Sequence, residues 1–173
     1  MKHEKLREYL EPDAMKRLCR DYVLEHINPT ILSWDEVIEN GKEWDDDIGW
    51  DSYGYRVCDI SGEEEVPFTG LLYELFPDGS LLWYDNYEDG LDAGPNVDFY
   101  YSGKLKQYGA YEWYESGQIM KYTVILRKAG VWEKYEWYES GMIKTYTCFD
   151  NRSFPIKHVE YDEDGNITKK ITK

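Results

Sequence analysis

The heptapeptide "YEWYESG" stands twice in this chain, at Tyr111–Gly117 and again at Tyr135–Gly141, 24 positions later. Aligned on the glycine, the two copies "YEWYESGQI" and "YEWYESGMI" are joined by "YELFPDGSL", "VDFYYSGKL" and "VEYDEDGNI". The glycines are Gly79, Gly103, Gly117, Gly141 and Gly165, spaced by 24, 14, 24 and 24. A fixed period in this range marks an array of small units, each burying its apolar face against the next. The short second spacing predicts an irregular step at that point.

With the unit numbered zero to eleven and glycine at six, each segment reads as a strand, a tight turn and a second strand. Pro77 at position four suits the second residue of a type I turn, and the glycine supplies the left-handed residue that closes a three-residue hairpin loop. In that register positions two and eight pair across the hairpin. They hold Leu75/Leu81, Phe99/Leu105, Trp113/Ile119, Trp137/Ile143 and Tyr161/Ile167, apolar in every unit. This is the expected core stripe.

Position one is acidic in all five units (Glu74, Asp98, Glu112, Glu136, Glu160) and position three is aromatic in four (Phe76, Tyr100, Tyr114, Tyr138). Side chains alternate along a strand, so positions one and three share the face opposite the stripe. Position eleven is Tyr in four units (Tyr84, Tyr108, Tyr122, Tyr146). A three-residue loop places it with positions one and three, and a two-residue loop moves it across. Two readings of this Tyr/Glu face stand: cross-strand packing that stabilises the sheet, or a binding surface that includes Glu112, Tyr114, Glu136 and Tyr138.

Ahead of the array the pattern changes. After Pro12 and Asp13, the apolar residues Met15, Leu18, Cys19, Tyr22, Val23 and Ile27 recur at helical steps, and "NPT" at 28–30 ends the run. "SWDEVIENG" at 33–41 has an N-cap serine and a closing glycine, predicting a second short helix. "KEWDDDIGWDSYGY" reads as an acidic, aromatic loop, with strands from Arg56 onwards. The expected architecture is mainly β: antiparallel hairpin repeats forming a twisted sheet over 67–173, behind a helical and acidic segment over 1–66.

Charge is unevenly placed. Residues 35–98 hold 19 Asp or Glu against Lys42 and Arg56, a net of −17 in a chain of net −15. Such a field speeds encounter with a basic partner and repels nucleic acid and anionic membrane. A solvated acidic surface is the plainer reading. The partner reading places the anchor at Trp44, Asp45, Asp46, Asp47, Trp50 and Asp51, where tryptophans stand among carboxylates as interface anchors often do.

Residues 1–10 have no apolar core of a leader, and no apolar run is long enough to span a bilayer. Cys19, Cys58 and Cys148 have neither metal-site nor disulfide spacing, so reduced thiols in a cytoplasm are expected. His3, His26 and His158 form no catalytic or metal-binding pattern with other residues, and no phosphate loop is present. "YDEDGNI" lacks the ligand spacing of a calcium loop. The expectation is a protein that is not an enzyme and has no cofactor and no metal.

"FTGLLYELFPDGSL" and "YEDGLDAGPNVDFYYSGKLKQYGAYEWYESGQI", with their F-x-G opening, G-x-L hairpins and "DG-x-x-x-G" connection, resemble the MORN-repeat variant. The resemblance covers about residues 67–170 and is nearest to the YwqK-type bacterial antitoxin and immunity family. It implies a cytoplasmic immunity protein that binds and neutralises a cognate toxin domain, with no catalytic residues to carry over. MORN-type repeats also act as scaffolds or adaptors. "WYESGQIM" resembles in addition the aromatic hairpins of exported choline- and glucan-binding repeats.

Overall fold

The computed structural model describes residues 30–126 and 130–172, the side chains of 124–126 excepted. The helix expected over 12–27 lies outside the described residues. These fall into two compact units, 30–109 and 110–172, and the division comes at the short step between Gly103 and Gly117. Both units are mainly β.

The unit 30–109 begins with helix α1 (Trp34–Asn40). Its start is a capping box: Ser33 Oγ accepts from the Glu36 N–H at 3.3 Å, and the Glu36 carboxylate accepts from the Ser33 N–H at 2.7 Å. Gly41 ends the helix and opens β1 (Gly41–Glu43), which pairs in parallel with β5 (Gly70–Leu75). The stretch expected to be a loop up to Arg56 therefore already contains strands. β2 (Ile48–Trp50), β3 (Val57–Asp59) and β4 (Val66–Pro67) form a small antiparallel sheet of their own. No clean alternation announces β2 because it buries Ile48 alone and leaves Trp50 in solvent.

β5 and β6 (Leu81–Glu88) make the first hairpin. β7 (Leu91–Asp92) folds back on the end of β6 through Asp89 and Gly90, both at positive φ (52° and 74°), the two-residue turn that Asp-Gly favours. A Cβ on Gly90 would stand 2.7 Å from the Val57 carbonyl oxygen, so the small sheet leans on this turn. β8 (Val97–Phe99) pairs with the start of β6, and β9 (Leu105–Tyr108) with β8.

The hairpin sheet of this unit is covered on both faces. On one, Val37 and Ile38 of α1 pack with Leu71, Tyr73, Tyr84, Val97, Leu75, Leu81, Phe99 and Leu105. On the other, Ile48 and Val57 of the small sheet pack with Leu72, Phe68, Trp44, Trp83 and Tyr87.

The unit 110–172 is a meander in which each strand pairs antiparallel with the next: β10 (Tyr111–Trp113), β11 (Ile119–Leu126), β12 (Val131–Trp137), β13 (Ile143–Phe149), β14 (Pro155–Tyr161) and β15 (Ile167–Thr172). All five glycine turns share one geometry. The residue at position three donates its N–H to the carbonyl at seven, as Tyr114 does to Gln118 at 2.8 Å, and the glycine donates back to position three. The glycines have φ between 78° and 86°. A sixth turn of the same form joins β13 to β14 at Asp150–Phe154, with Ser153 at φ 62° in the glycine's place.

Positions two and eight pair as expected, and Trp113, Ile119, Trp137, Ile143 and Tyr161 are buried. Position eleven, however, is not on the opposite face. Each second strand carries a bulge at position nine, so that one pairs with ten and zero with eleven (Glu112↔Lys121, Tyr111↔Tyr122). That extra residue moves the tyrosines onto the core face. Tyr84 and Tyr146 are buried there. The rings of Tyr111, Tyr122, Tyr135 and Tyr146 run across four strands, with centroids 4.7, 6.0 and 5.2 Å apart.

Candidate functional site

The segment 44–51 crosses from the end of β1 to β2. Trp44 N–H donates to the Tyr73 carbonyl at 2.8 Å, and its ring meets Trp83 edge to face with centroids 6.0 Å apart. The backbone then turns out over Asp45, whose carboxylate accepts from the Asp47 N–H at 3.0 Å. Asp45, Asp46 and Asp47 form an exposed acidic tip. Ile48 turns back into the core, and Trp50 is 56% exposed.

Asp51 has a different task. Its carboxylate accepts from the backbone N–H groups of Tyr55 at 2.8 Å and Tyr53 at 3.2 Å, bonds that hold the carboxyl below its usual range. It thereby shapes the loop that presents Tyr53 and Tyr55, 80% and 76% exposed. These two tyrosines were missed as site candidates. The signal was present in "DSYGY": an aspartate ahead of Gly54, whose φ is 73°.

The other four candidates, Glu112, Tyr114, Glu136 and Tyr138, lie in the unit 110–172 and are bound into its sheet. Glu112 pairs with Lys121 at position ten of its own hairpin. Glu136 accepts from Thr145 at position ten and pairs with Lys134 at 2.8 Å. Burial raises the Glu136 pKa, but these bonds outweigh it and the net direction is down. Glu160 repeats the pattern with Lys169 at 3.0 Å and His158 at 2.8 Å. Tyr114 donates to the Trp137 carbonyl at 2.8 Å, and Tyr138 to the Tyr161 carbonyl at 2.9 Å. The repeated acid and tyrosine thus join strands and successive repeats.

Two further polar groupings are structural in geometry. Glu133 is fully buried and accepts from the hydroxyls of Tyr146 at 2.9 Å and Tyr135 at 3.0 Å, which satisfy its two oxygens. Thr147, His158 and Glu160 stand in line, 2.7 Å and 2.8 Å apart, in the order of a nucleophilic relay. Thr147 is buried at 6% exposure, so its hydroxyl is not open to a substrate and the line ties β13 to β14. Among the described residues no three His, Cys, Asp or Glu gather as metal ligands, and Cys58 and Cys148 are buried thiols.

The segment 45–55 thus exposes three carboxylates, Asp45–Asp47 ahead of β2, and three aromatic rings, Trp50 in β2 and Tyr53 and Tyr55 in the loop after it. The chain is similar to a protein named for immunity. Over 59 residues it is 34% identical to "Immunity protein YwqK" of Bacillus subtilis (strain 168). That match spans 34% of this chain and 38% of the relative. No protein-family model matches the chain. Among the described residues no helix is long and apolar enough to cross a membrane.

Proposed function

We propose that this protein is a cytoplasmic immunity protein that binds a basic toxin domain and neutralises it by protein–protein contact. The observation that carries the reading is the exposure, within the one segment 45–55, of the acidic tip Asp45–Asp47 and of the rings of Trp50, Tyr53 and Tyr55. The carboxylates steer a basic partner and fix its orientation, and the rings supply contact area with little entropy to lose. The distant relative named as an immunity protein supports the role in general. Like charge over residues 35–98 also opposes compactness, and a basic partner relieves it.

The test is co-expression with the product of the neighbouring gene in a host that this product kills. The native chain should restore growth and co-purify with the product. The Asp45→Lys, Asp46→Lys, Asp47→Lys triple variant should do neither, while remaining folded. Equal killing with and without the native chain, and no retained basic protein, would overturn the proposal.

A further inference from the structure

The unit 110–172 buries one face of a single sheet. Every described element of this unit, β10 to β15, is a strand of that sheet. On its core face Tyr135 and Trp137 are 0% exposed, and Ile119 and Ile143 are buried beside them. The burial runs from Trp113 in β10 to Tyr161 in β14. It ends at β15, where Ile167, paired with Tyr161, is 43% exposed. The opposite face keeps its solvent: Glu112, Lys134 and Glu136 are partly exposed there. Side chains on one face of a sheet reach full burial when another layer lies on that face. Neighbouring strands lie side by side and do not supply such a layer.

The unit 30–109 takes up its own apolar rows, one under α1 and one under the small sheet. A further amphipathic pattern runs over 12–27, where Met15, Leu18, Cys19, Tyr22, Val23 and Ile27 recur at helical steps. Arg17, Arg20 and Asp21 fall on the other side of that pattern. A helix of this length is marginal alone in water, so its stripe calls for an apolar surface. The sizes agree. A helix over 12–27 would be about 24 Å long. Strands about 4.8 Å apart carry β10 to β14 over about 19 Å.

We infer that residues 12–27 lie as a helix across the core face of β10–β14, with the apolar stripe against Tyr135 and Trp137. The chain thereby closes its aromatic row with its own N-terminal segment, and that row is withheld from any partner. The buried face gains its second layer, and the stripe gains the surface that it needs. This inference goes beyond the immunity reading and does not depend on it.

Thiol accessibility in the full chain is the first test. Cys58 and Cys148 are buried, so Cys19 is the thiol that reports. Docked on the core face, Cys19 should react with iodoacetamide at least about a hundredfold more slowly than in the urea-unfolded chain, through local opening alone. Leu18→Asp puts a charge on the stripe and should speed that reaction at least about tenfold, whereas Arg17→Asp should not. A second measurement names the face. Arg17→Cys in a Cys19→Ser chain takes a nitroxide label on the polar side of the pattern. The indole N–H signals of Trp113 and Trp137 should then be lost from the ¹H–¹⁵N spectrum and return when the nitroxide is reduced. If Leu18→Asp does not fold, the native thiol and the label still decide. A Cys19 that reacts as fast in the native chain as in the unfolded one overturns the inference. So does a protected Cys19 with both indole signals unchanged, since the segment then packs elsewhere.

Discussion

The hydroxyl of Tyr138 donates to the backbone carbonyl of Tyr161 at 2.9 Å, 23 residues further along, as Tyr114 does to Trp137 at 2.8 Å. A side chain at position three of one repeat thus fastens to position two of the next. The repeats are joined by a bond that no strand ladder supplies. Tyr138→Phe should lower stability by about 1 kcal/mol, the net worth of such a bond. Urea titration checks this: the midpoint should fall with an unchanged slope. An unmoved midpoint would mean that water replaces the hydroxyl at no cost.

The two faces of the unit 110–172 should respond unequally to truncation. Trp137 is fully buried, and Trp137→Ala should cost roughly 3–5 kcal/mol through lost transfer energy and a cavity. Glu136, on the polar face, touches Lys134 and Thr145 in partial solvent, and Glu136→Ala should cost under about 1 kcal/mol. Equal costs in a denaturant titration would contradict the assignment of the core face.

The turns allow a test of opposite signs. Gly117 has φ 86° and open space around its Cα, so Gly117→Ala should cost about 1 kcal/mol by backbone conformation alone. Ser153 holds the equivalent place at φ 62° with a side chain, and Ser153→Gly should leave stability level or raise it by less than about 1 kcal/mol. Two losses of equal size would show that Ser153 is not strained.

Asp85 sets a dependence on pH. It is buried, accepts from the Asn86 N–H at 2.8 Å, and burial pushes its carboxyl above the ordinary 3.8. Between 3.8 and the raised folded value, the folded protein keeps a proton that the unfolded chain has released. This group's contribution to stability is therefore greatest in acid, falls as pH rises through that window, and stays low above it. Asp85→Asn should raise Tm at about pH 7, and the gain should shrink towards zero near about pH 3. Thermal melts of both proteins at the two pH values decide it, and an equal offset at both would refute the assignment.

Partner binding should separate into steering and holding. Reversing Asp45, Asp46 and Asp47 to lysine should slow association steeply and flatten its salt dependence. Trp50→Ala, which removes an exposed ring at little cost to the fold, should mainly speed dissociation. Surface plasmon resonance at about 50 and 500 mM salt measures both rates. Indifference to both changes and to salt would move the contact surface elsewhere.

The turns, the stripe and the α1 cap were legible from the residues, because each rests on contacts spanning a few positions. Glycine at position six meets a left-handed backbone, and Ser33 meets the N–H three residues on. The turn at Asp150–Phe154 was not legible, since Ser153 replaces the expected glycine. Nor was the side taken by position eleven. The bulge residue is Leu82, Lys106, Met120, Lys144 or Thr168, and no shared chemistry marks it.

Sequence alone determined that this chain builds mainly β hairpins of fixed geometry with one apolar row, because local backbone preference and side-chain alternation act within each unit. Only the tertiary structure decided what the other residues do. It brought β1 in parallel to β5, laid α1 and the small sheet on opposite faces of the first hairpins, and set Glu74, Trp83 and Asp98 beside Trp44 and Trp50. It also gave the repeated glutamates their partners and the repeated tyrosines their carbonyls. Those contacts join residues far apart in the chain, and their register follows from how strands pack and bulge rather than from any neighbouring residues.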